Sequence, residues 1–401
     1  MNIALVAGSS YADATYRTVF DGLRRAWRSQ GHRVRIYTPD VAVPEGLGFP
    51  VQDSEDVRVL GSGGAFSCAA GLLSALREDR IDLAHLHFSG VFRPWMIGIP
   101  FAAWQRPARW LVSFQDYGHP GLAANGPWRH AGLRLLLRGA CRVSAVSGYL
   151  RTRVESAFPE LRGKVDVVPN GVGLPEGGAA PADPAPHARP YILFVGRLAP
   201  YKGADLAVMA FADILRSHPG ADLVLCGADF GGGHIALLVE KLGLGGRVRL
   251  TGLKTPAQVE ALRQGSLFCV APSREETFGM AVLEAMAAGK AVVAARTGGI
   301  PEFARDEENA LLFRSGDVKA LSAAMRRLLE DEGLRLRLGE AGRGTARAYA
   351  WTSIVSRYLR ASTGSAAEAS AETEESRRDS EGPRSGLGMS PPEKEFAGRV
   401  G

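Results

Sequence analysis

Short apolar runs alternate with stretches of helical periodicity along residues 1–346 of this chain. Strands that alternate with helices form parallel sheets covered by helices on both faces. The pattern therefore predicts an α/β chain built from doubly wound sheets. The predicted strands are Ile3–Ala7, Val34–Tyr37, Asp82–His87, Trp110–Phe114, Val143–Val146, Val165–Val168, Tyr191–Val195, Leu223–Cys226, Val248–Leu250, Leu267–Val270, Ala291–Ala295 and Ala310–Phe313.

A segment rich in proline and glycine, Gly173–Pro190, interrupts the alternation. Neither strand nor helix periodicity can continue through such a composition, which is typical of a linker. We therefore predict an N-terminal domain over residues 1–172, a linker over 173–189 and a C-terminal domain over 190–346. Both domains are expected to be Rossmann-like and to face a central cleft. Ligands of such sheets bind beyond the carboxyl ends of the strands, so the cleft is the predicted site.

The composition changes after residue 361. Residues 362–401 contain eight acidic and five basic residues, a formal charge of −3, whereas the whole chain has a net charge of +6 and the rest therefore +9. This segment is rich in Ser, Gly and Pro and poor in aliphatic residues, so we predict a disordered tail. The basic remainder indicates either anionic ligands or an anionic surface, or merely solvated, arginine-rich helices. We expect no nucleic-acid partner.

Several features favour a cytoplasmic location. Met1–Gly8 is apolar but lacks a basic n-region and is too short for a signal peptide, so it is interpreted as a strand. No run approaches the ~18 apolar residues that span a bilayer. The four cysteines, Cys68, Cys141, Cys226 and Cys269, show no metal-type pairing. We predict that they are buried free thiols in a reducing compartment.

Two glutamates lie on either side of a glycine after the predicted strand Leu267–Ala271. Glu276 lies in the loop that leaves the strand, and Glu284 lies within a helix that begins near Gly279. The glycine would let a ligand approach the free N–H groups of the helix N-terminus, which favour a phosphate. Glu284 is placed to reach a sugar hydroxyl. The alternative is that Glu276 only closes a capping box with Ser273.

Two cations follow the predicted strand Tyr191–Val195. Gly196 ends the strand, and Arg197 and Lys202 precede the next helix. A diphosphate needs cations, and arginine supplies a planar fork while lysine supplies a point charge. Such residues are often only solvated, but these two share a cleft edge with Gly279. We therefore predict an anion site at this edge.

Together these segments resemble the retaining GT-B glycosyltransferases of family 4, which use nucleotide sugars. Phe194–Gly203 matches the phosphate motif of that family, and Glu276–Gly289 matches its paired-glutamate motif, followed by Gly298–Glu302. Two further segments fit the family, Ser144–Ser147 and Val168–Gly171. The resemblance covers roughly residues 1–360. It implies that residues 347–361 form a closing helix that crosses back to the first domain.

The resemblance implies a hexosyltransferase with a nucleotide-sugar donor, UDP- or GDP-linked. It would act with retention on a hydroxyl of a saccharide, lipid or small-molecule acceptor, in cell-envelope or polysaccharide biosynthesis. Glu276 would hold the transferred sugar and Glu284 the ribose. The implied donor-binding residues are Gly8, Gly196, Arg197, Lys202, Glu276, Phe278, Gly279, Met280 and Glu284. The implied catalytic residues are Glu276, Arg197, Lys202 and Gln115.

Two positions depart from the family pattern. Gly8 stands alone where many relatives have a pair of glycines. Gln115 occupies the place after the fifth strand where many relatives carry a histidine, which puts the usual active-site hydrogen bond in doubt. His119 is a candidate to compensate, although its neighbours indicate a turn. His87, at the end of the fourth strand, is interpreted either as facing the cleft mouth or as a structural histidine.

No Asp-x-Asp pair occurs in the sequence, which favours a metal-independent site without a cofactor. Two alternatives to a glycosyltransferase stay open here: a GT-B-type sugar-nucleotide epimerase, and a catalytically impaired nucleotide-sugar-binding protein. Only Gln115 supports the second. The acceptor has no motif that we can interpret. The basic, leucine-rich stretch Trp128–Arg138 also predicts peripheral contact with an anionic membrane.

Overall fold

The structure, a computed structural model, describes residues 1–7, 14–39, 55–60, 65–89, 96, 109–116, 126–174 and 189–363. These residues contain two parallel sheets. The strands of the first sheet are β1 Asn2–Ala7, β2 Arg33–Pro39, β3 Val57–Leu60, β4 Leu83–Ser89, β5 Arg109–Asp116, β6 Arg142–Ala145 and β7 Val165–Val167. The strands of the second sheet are β8 Tyr191–Val195, β9 Asp222–Cys226, β10 Val248–Gly252, β11 Phe268–Ala271, β12 Val292–Arg296 and β13 Leu311–Arg314.

Helices connect these strands. In the described part of the chain they are α1 Ala14–Ser29, α2 Ala65–Glu78, α3 Gly126–Gly139, α4 Gly148–Ala157, α5 Ala204–Leu215, α6 His234–Lys241, α7 Pro256–Gly265, α8 Met280–Ala287, α9 Val318–Glu330, α10 Glu332–Arg347 and α11 Trp351–Thr363. Their placement between parallel strands provides the crossover connections that such sheets require.

Both sheets reverse their strand order at one point. The first has the order β3-β2-β1-β4-β5-β6-β7, and the second has the order β10-β9-β8-β11-β12-β13. In the second sheet the order reverses between the neighbouring strands β8 and β11, which is the switch point of that sheet. A crevice opens at the carboxyl ends of such a strand pair, where ligands bind.

The prediction of two doubly wound parallel sheets is confirmed. Each of the twelve predicted strands is present in the described residues, and the structure adds β3. This strand was missed because it is short and places an arginine, Arg58, between two valines. The central strands are buried on both faces, as the adjacent residues Ala4 and Leu5 of β1 illustrate with no exposed surface. Burial on both faces explains why these strands are continuous apolar runs.

The last described helix, α11, packs against the first sheet although it follows the second in sequence. Its residues Ile354 and Tyr358 lie in one hydrophobic cluster with β1 and α1. Trp351 fits between two glycines. A Cβ atom at Gly22 would lie 2.1 Å from Nε1 of Trp351, and one at Gly171 would lie 2.5 Å from its Cδ2. Any larger residue at either position would displace the indole ring.

The predicted domain boundaries stay predictions, because most of the linker and the tail lie outside the described residues. All four cysteines are free, but only three are buried. The prediction of burial is wrong for Cys141, which is exposed at the start of the segment that enters β6. None of the helices described is both long and apolar enough to cross a bilayer.

Candidate functional site

A cleft of about 840 Å³ lies between the two sheets, at the carboxyl ends of β5, β8 and β11. The structure brings nine of the predicted site residues together on its walls: Gln115, Gly196, Arg197, Lys202, Glu276, Phe278, Gly279, Met280 and Glu284. Gly8 and His119 lie outside the described residues. The roles predicted for the nine residues are not tested by their position and stay predictions.

Lys202 and Glu276 form an ion pair at the centre of the cleft edge. Lys202 Nζ lies 2.6 Å from Glu276 Oε2. The two residues are 74 positions apart and are brought together by the switch point between β8 and β11. The capping-box interpretation of Glu276 is wrong, because α8 begins after Gly279 without a side-chain cap. The carboxylate instead balances a cation that faces the cleft.

Arg197 lies between two aromatic rings on the same edge. Its guanidinium carbon is 5.7 Å from the ring centroid of Tyr201 and 5.8 Å from that of Phe230. Contacts of this kind attract a cation to the face of a ring. Phe230 is 44% exposed, which is unusual for so large an apolar side chain. The rings therefore hold the guanidinium at the cleft wall and leave it close to solvent.

The N-terminus of α8 faces the cleft between these cations and the glutamates. Gly279 has a φ of 111°, and a Cβ atom there would lie 2.8 Å from Ile300 Cγ1. Both observations require glycine at this position. The first N–H groups of a helix, here those of Met280 and Ala281, have no intrahelical acceptor. Together with the helix dipole they favour an anion.

The loop that carries Glu276 is bonded to the first sheet. Thr277 Oγ1 donates a hydrogen bond to the backbone oxygen of Gln115 at 3.0 Å. Ser147 Oγ donates to the backbone oxygen of Thr277 at 2.6 Å. These bonds position the loop from the opposite wall, so the two walls meet at the predicted sugar site.

A second contact across the cleft involves Glu302. Its carboxylate accepts hydrogen bonds from the backbone N–H groups of Gly148 and Tyr149, at 2.9 and 2.8 Å. These amides begin α4, where an acidic side chain is stabilised by the helix dipole. The matching of Gly298–Glu302 to a family motif identified this glutamate without indicating its partner.

The first sheet and the loops after its strands form one wall of the cleft, which we call the first wall. This wall contains Gln115, whose side chain is buried. Gln115 Nε2 lies 3.1 Å from His87 Nδ1. An amide nitrogen can only donate, so Nδ1 of His87 accepts and the ring carries its proton on Nε2. The interpretation that His87 faces the cleft mouth is wrong, because it lies behind Gln115 with 2% exposure. Burial lowers the pKa of His87 to about 3, so the ring is neutral at ordinary pH.

Glu284 is bound by an arginine that the sequence did not reveal. Arg263 Nη2 donates to Glu284 Oε2 at 2.7 Å, and Arg263 Nη1 donates to Glu260 Oε2 at 2.5 Å. Burial raises the pKa of Glu284, while the charge of Arg263 acts in the opposite direction. No feature of α7 indicates a partner 21 positions further along the chain.

Other cleft residues were also missed. Lys254 follows β10 as Arg197 follows β8, so the signal of a cation after a strand end could have found it. Asp116 and Asn170 line the first wall, and Asn170 Oδ1 is buried without a partner among the described residues. The described residues contain no cluster of three or more His, Cys, Asp or Glu side chains able to hold a metal ion.

Two family models match the chain. A model described as "Glycosyl transferases group 1" matches residues 180–345, which include β8 to β13. A model described as "Glycosyltransferase Family 4" matches residues 17–174, which include β2 to β7. The two models together match the second sheet and all described strands of the first sheet except β1.

Several curated relatives are D-inositol 3-phosphate glycosyltransferases. The relative from Corynebacterium glutamicum (strain R) is 26% identical over 367 residues, which are 80% of this chain and 85% of the relative. The relative from Salinispora tropica is 32% identical over 324 residues, or 73% of this chain and 66% of the relative. The relative from Segniliparus rotundus is 32% identical over 217 residues, which are 51% of this chain. This chain spans about half of that relative's length, 47%.

Solved structures have the same fold. A sucrose-phosphate synthase from Thermosynechococcus elongatus matches with a TM-score of 0.70 and 23% identity, over 90% of this chain and 98% of that chain. Anabaena Alr3699/HepE in complex with UDP-glucose matches with a TM-score of 0.68 and 19% identity, over 93% and 99%. At these identities the likeness concerns the fold, and it confirms the predicted GT-B architecture.

Proposed function

Since this chain belongs to the group 1 glycosyltransferases of family 4, we propose that it transfers a hexose from a nucleoside-diphosphate sugar to an acceptor hydroxyl. The donor is UDP- or GDP-linked, and the reaction retains the configuration of the anomeric carbon. The observation that carries this proposal is the ion pair of Lys202 and Glu276 beside Arg197, at the N-terminus of α8. This edge combines the charges that a diphosphate and a sugar need.

Each group on this edge has a distinct proposed task. Lys202 and Arg197 bind the diphosphate and stabilise the negative charge that grows on it as the glycosidic bond breaks. The amides of Gly279 and Met280 bind the same anion through the helix N-terminus. Glu276 accepts hydrogen bonds from hydroxyls of the transferred sugar. Its contact with Lys202 at 2.6 Å couples the sugar position to the phosphate position.

Retention is proposed to occur without a protein nucleophile. The leaving phosphate guides the acceptor hydroxyl onto the face from which it departs, and the hydroxyl proton passes to the phosphate. The bond from the anomeric carbon to the donor oxygen breaks as the bond to the acceptor oxygen forms. The bonds that join Thr277 to Gln115 and Ser147 keep both walls in place during this step.

The acceptor is proposed to be a hydroxyl of a saccharide, lipid or small molecule. The relatives named as D-inositol 3-phosphate glycosyltransferases favour a phosphorylated polyol as the first acceptor to test. The test incubates the protein with UDP-glucose or GDP-mannose and with D-inositol 3-phosphate or a mixed acceptor pool. Intact-mass detection of a hexose adduct, with equimolar nucleoside diphosphate, is the expected result. An altered sugar nucleotide without an adduct would indicate an epimerase, and binding without turnover would indicate an impaired enzyme.

We propose that the reaction needs no metal ion, because cations of the protein already face the donor phosphates. Turnover should therefore be the same before and after incubation with EDTA. Loss of activity on chelation, restored by magnesium or manganese, would contradict this proposal. The control is a known metal-dependent glycosyltransferase treated in the same way.

Membrane contact through α3 receives no support from the packing of this helix. Three of its four leucines, Leu133, Leu136 and Leu137, are buried in the core, and the fourth, Leu135, is exposed. Arg134 is paired with Glu160 at 2.9 Å. Peripheral contact of this stretch with an anionic membrane stays a prediction. The cytoplasmic location stays a prediction.

A further inference from the structure

We propose that Arg263 is a positioning residue for donor binding, which holds Glu284 so that one carboxylate oxygen faces the ribose hydroxyls of the nucleotide. This inference rests on the proposed function, because it takes a nucleoside-diphosphate sugar as the donor. It adds a third residue to the paired glutamates, contributed by the helix before β11.

The geometry places Arg263 between two carboxylates of the cleft wall. Its Nη2 binds Oε2 of Glu284 at 2.7 Å, and its Nη1 binds Oε2 of Glu260 at 2.5 Å. Oε1 of Glu284 has no hydrogen-bond partner among the described residues. Because one oxygen of Glu284 is held and the other is open, the carboxylate has a fixed direction. A ribose hydroxyl donating to Oε1 meets an acceptor that is already oriented.

The side chain of Arg263 is more deeply buried than those of its two partners. The side chain of Arg263 is 5% exposed, whereas those of Glu284 and Glu260 are 23% and 39% exposed. A guanidinium buried to this extent is held by its two carboxylates rather than by water. Removing it would leave Glu284 in a desolvated place without its cation, and burial would then favour the protonated form. A protonated carboxyl group donates a proton and accepts hydrogen bonds less strongly.

The position of α7 is itself well defined. A capping box closes its first turn, with Thr255 Oγ1 accepting from the amide of Gln258 and Gln258 Oε1 accepting from the amide of Thr255. Tyr191 Oη of β8 donates to the backbone oxygen of Leu262 at 2.7 Å, which holds the turn next to Arg263 against the sheet. This rigidity makes the arginine suitable for aligning Glu284 across two elements.

The test measures nucleotide affinity by calorimetry with UDP and with 2′,3′-dideoxy-UDP, or with the GDP pair if GDP binds. The wild type should bind UDP about ten- to a hundredfold more tightly than the dideoxy compound, as expected for hydroxyls bonded to a charged group. Arg263→Met should bind UDP no better than the dideoxy compound, and its affinity for the dideoxy compound should equal that of the wild type.

Two variants keep the test decisive. Arg263→Lys retains a cation that can reach Glu284, so it should recover part of the ribose discrimination even if Arg263→Met folds poorly. Arg249→Met is the matched control, because it removes an exposed arginine of β10 that does not line the cleft. Its discrimination should equal that of the wild type. Melting temperatures measured without nucleotide identify folding defects.

The outcomes separate this inference from the proposed function. If Arg263→Met discriminates as well as the wild type, or if folded Arg263→Lys recovers none of the discrimination, Arg263 does not position Glu284 through its charge. If a variant binds UDP and the dideoxy compound more weakly than the wild type by the same factor, the role of Arg263 is merely structural and the inference is wrong. If the wild type binds neither UDP nor GDP, the proposed function fails as well.

Discussion

The two walls of the cleft differ in how they present polar groups. The second wall, from β8 and β11, presents charged side chains in pairs, as in Lys202 with Glu276 and Arg263 with Glu284. The first wall contains Asp116, but at β5 it also presents a neutral amide, Gln115, backed by the neutral imidazole of His87. We call the part formed by Gln115 and His87 the neutral wall, and the wall from β8 and β11 the charged wall. Paired charges stay ionised close to a ligand, while neutral groups tolerate complete burial. The charged wall is thus suited to the donor anion, and the neutral wall to hydroxyl groups.

The largest effect should come from removing a cation of the charged wall. Arg197→Ala or Lys202→Ala should lower kcat/KM for the donor at least about tenfold, since a hydrogen bond to a charged phosphate contributes ~1.5–3 kcal/mol. Lys202→Ala should be the more damaging, because it also leaves Glu276 without its partner. Steady-state kinetics with a saturating acceptor measure both variants.

Arg296→Ala is the control for this experiment. Arg296 is half exposed, is paired with Asp306 at 3.1 Å and does not line the cleft. Removing an exposed ion pair changes stability little. Its kinetics should match the wild type. Wild-type kinetics in both cleft variants would show that the charged wall does not bind the donor phosphates.

A smaller effect is expected on the neutral wall. Gln115→Ala should lower turnover by several-fold up to about tenfold, as expected for a neutral hydrogen bond of ~0.5–1.5 kcal/mol. Gln115→His should keep activity and gain a pH dependence at or below the usual histidine pKa of ~6.5, because the position is buried. The wild type should lack that dependence. Turnover of Gln115→Ala equal to the wild type would place Gln115 outside the reaction.

The smallest effect concerns the pH dependence of stability behind Gln115. His87 has a pKa of about 3 in the folded protein, against 6.5 as its ordinary value. Between these values only the unfolded chain binds the proton, so the free energy of unfolding falls as the pH falls. The expected contribution is about 1.4 kcal/mol per pH unit.

His87→Phe should remove that contribution, and denaturant unfolding between pH 6.5 and pH 5 measures it. His85 is also buried, and its pKa is lowered as well, so part of the slope should persist in the variant. His85→Phe in the same assay gives the matched comparison. An unchanged slope in His87→Phe would show that this ring is protonated in the folded protein.

The charged wall could be predicted from the sequence to a large extent. Arg197, Lys202 and Glu276 all follow apolar strands, and the carboxyl ends of parallel strands meet at one edge. The switch point then brings them together without any knowledge of side-chain packing. Strand-end position was therefore a sufficient signal for these three residues.

Side-chain pairing inside the protein could not be predicted in this way. The end of a strand left His87 either at the cleft mouth or in a structural role, and the structure places it behind Gln115. Arg263 belongs to a helix, where an arginine is usually solvated. Its contact with Glu284 depends on how α7 and α8 pack around β11. Such contacts arise from tertiary packing, which leaves no periodic trace in the sequence.

The central claim is that the charged wall binds the diphosphate of the donor, and calorimetric titration with UDP and with uridine tests it most directly. Uridine lacks the diphosphate but keeps the base and the ribose. The wild type should bind UDP at least about a hundredfold more tightly than uridine, because several charge-assisted bonds are lost. Lys202→Ala and Arg197→Ala should each reduce the difference in affinity between UDP and uridine. Equal affinity of the wild type for UDP and uridine, repeated with GDP and guanosine, would contradict the account.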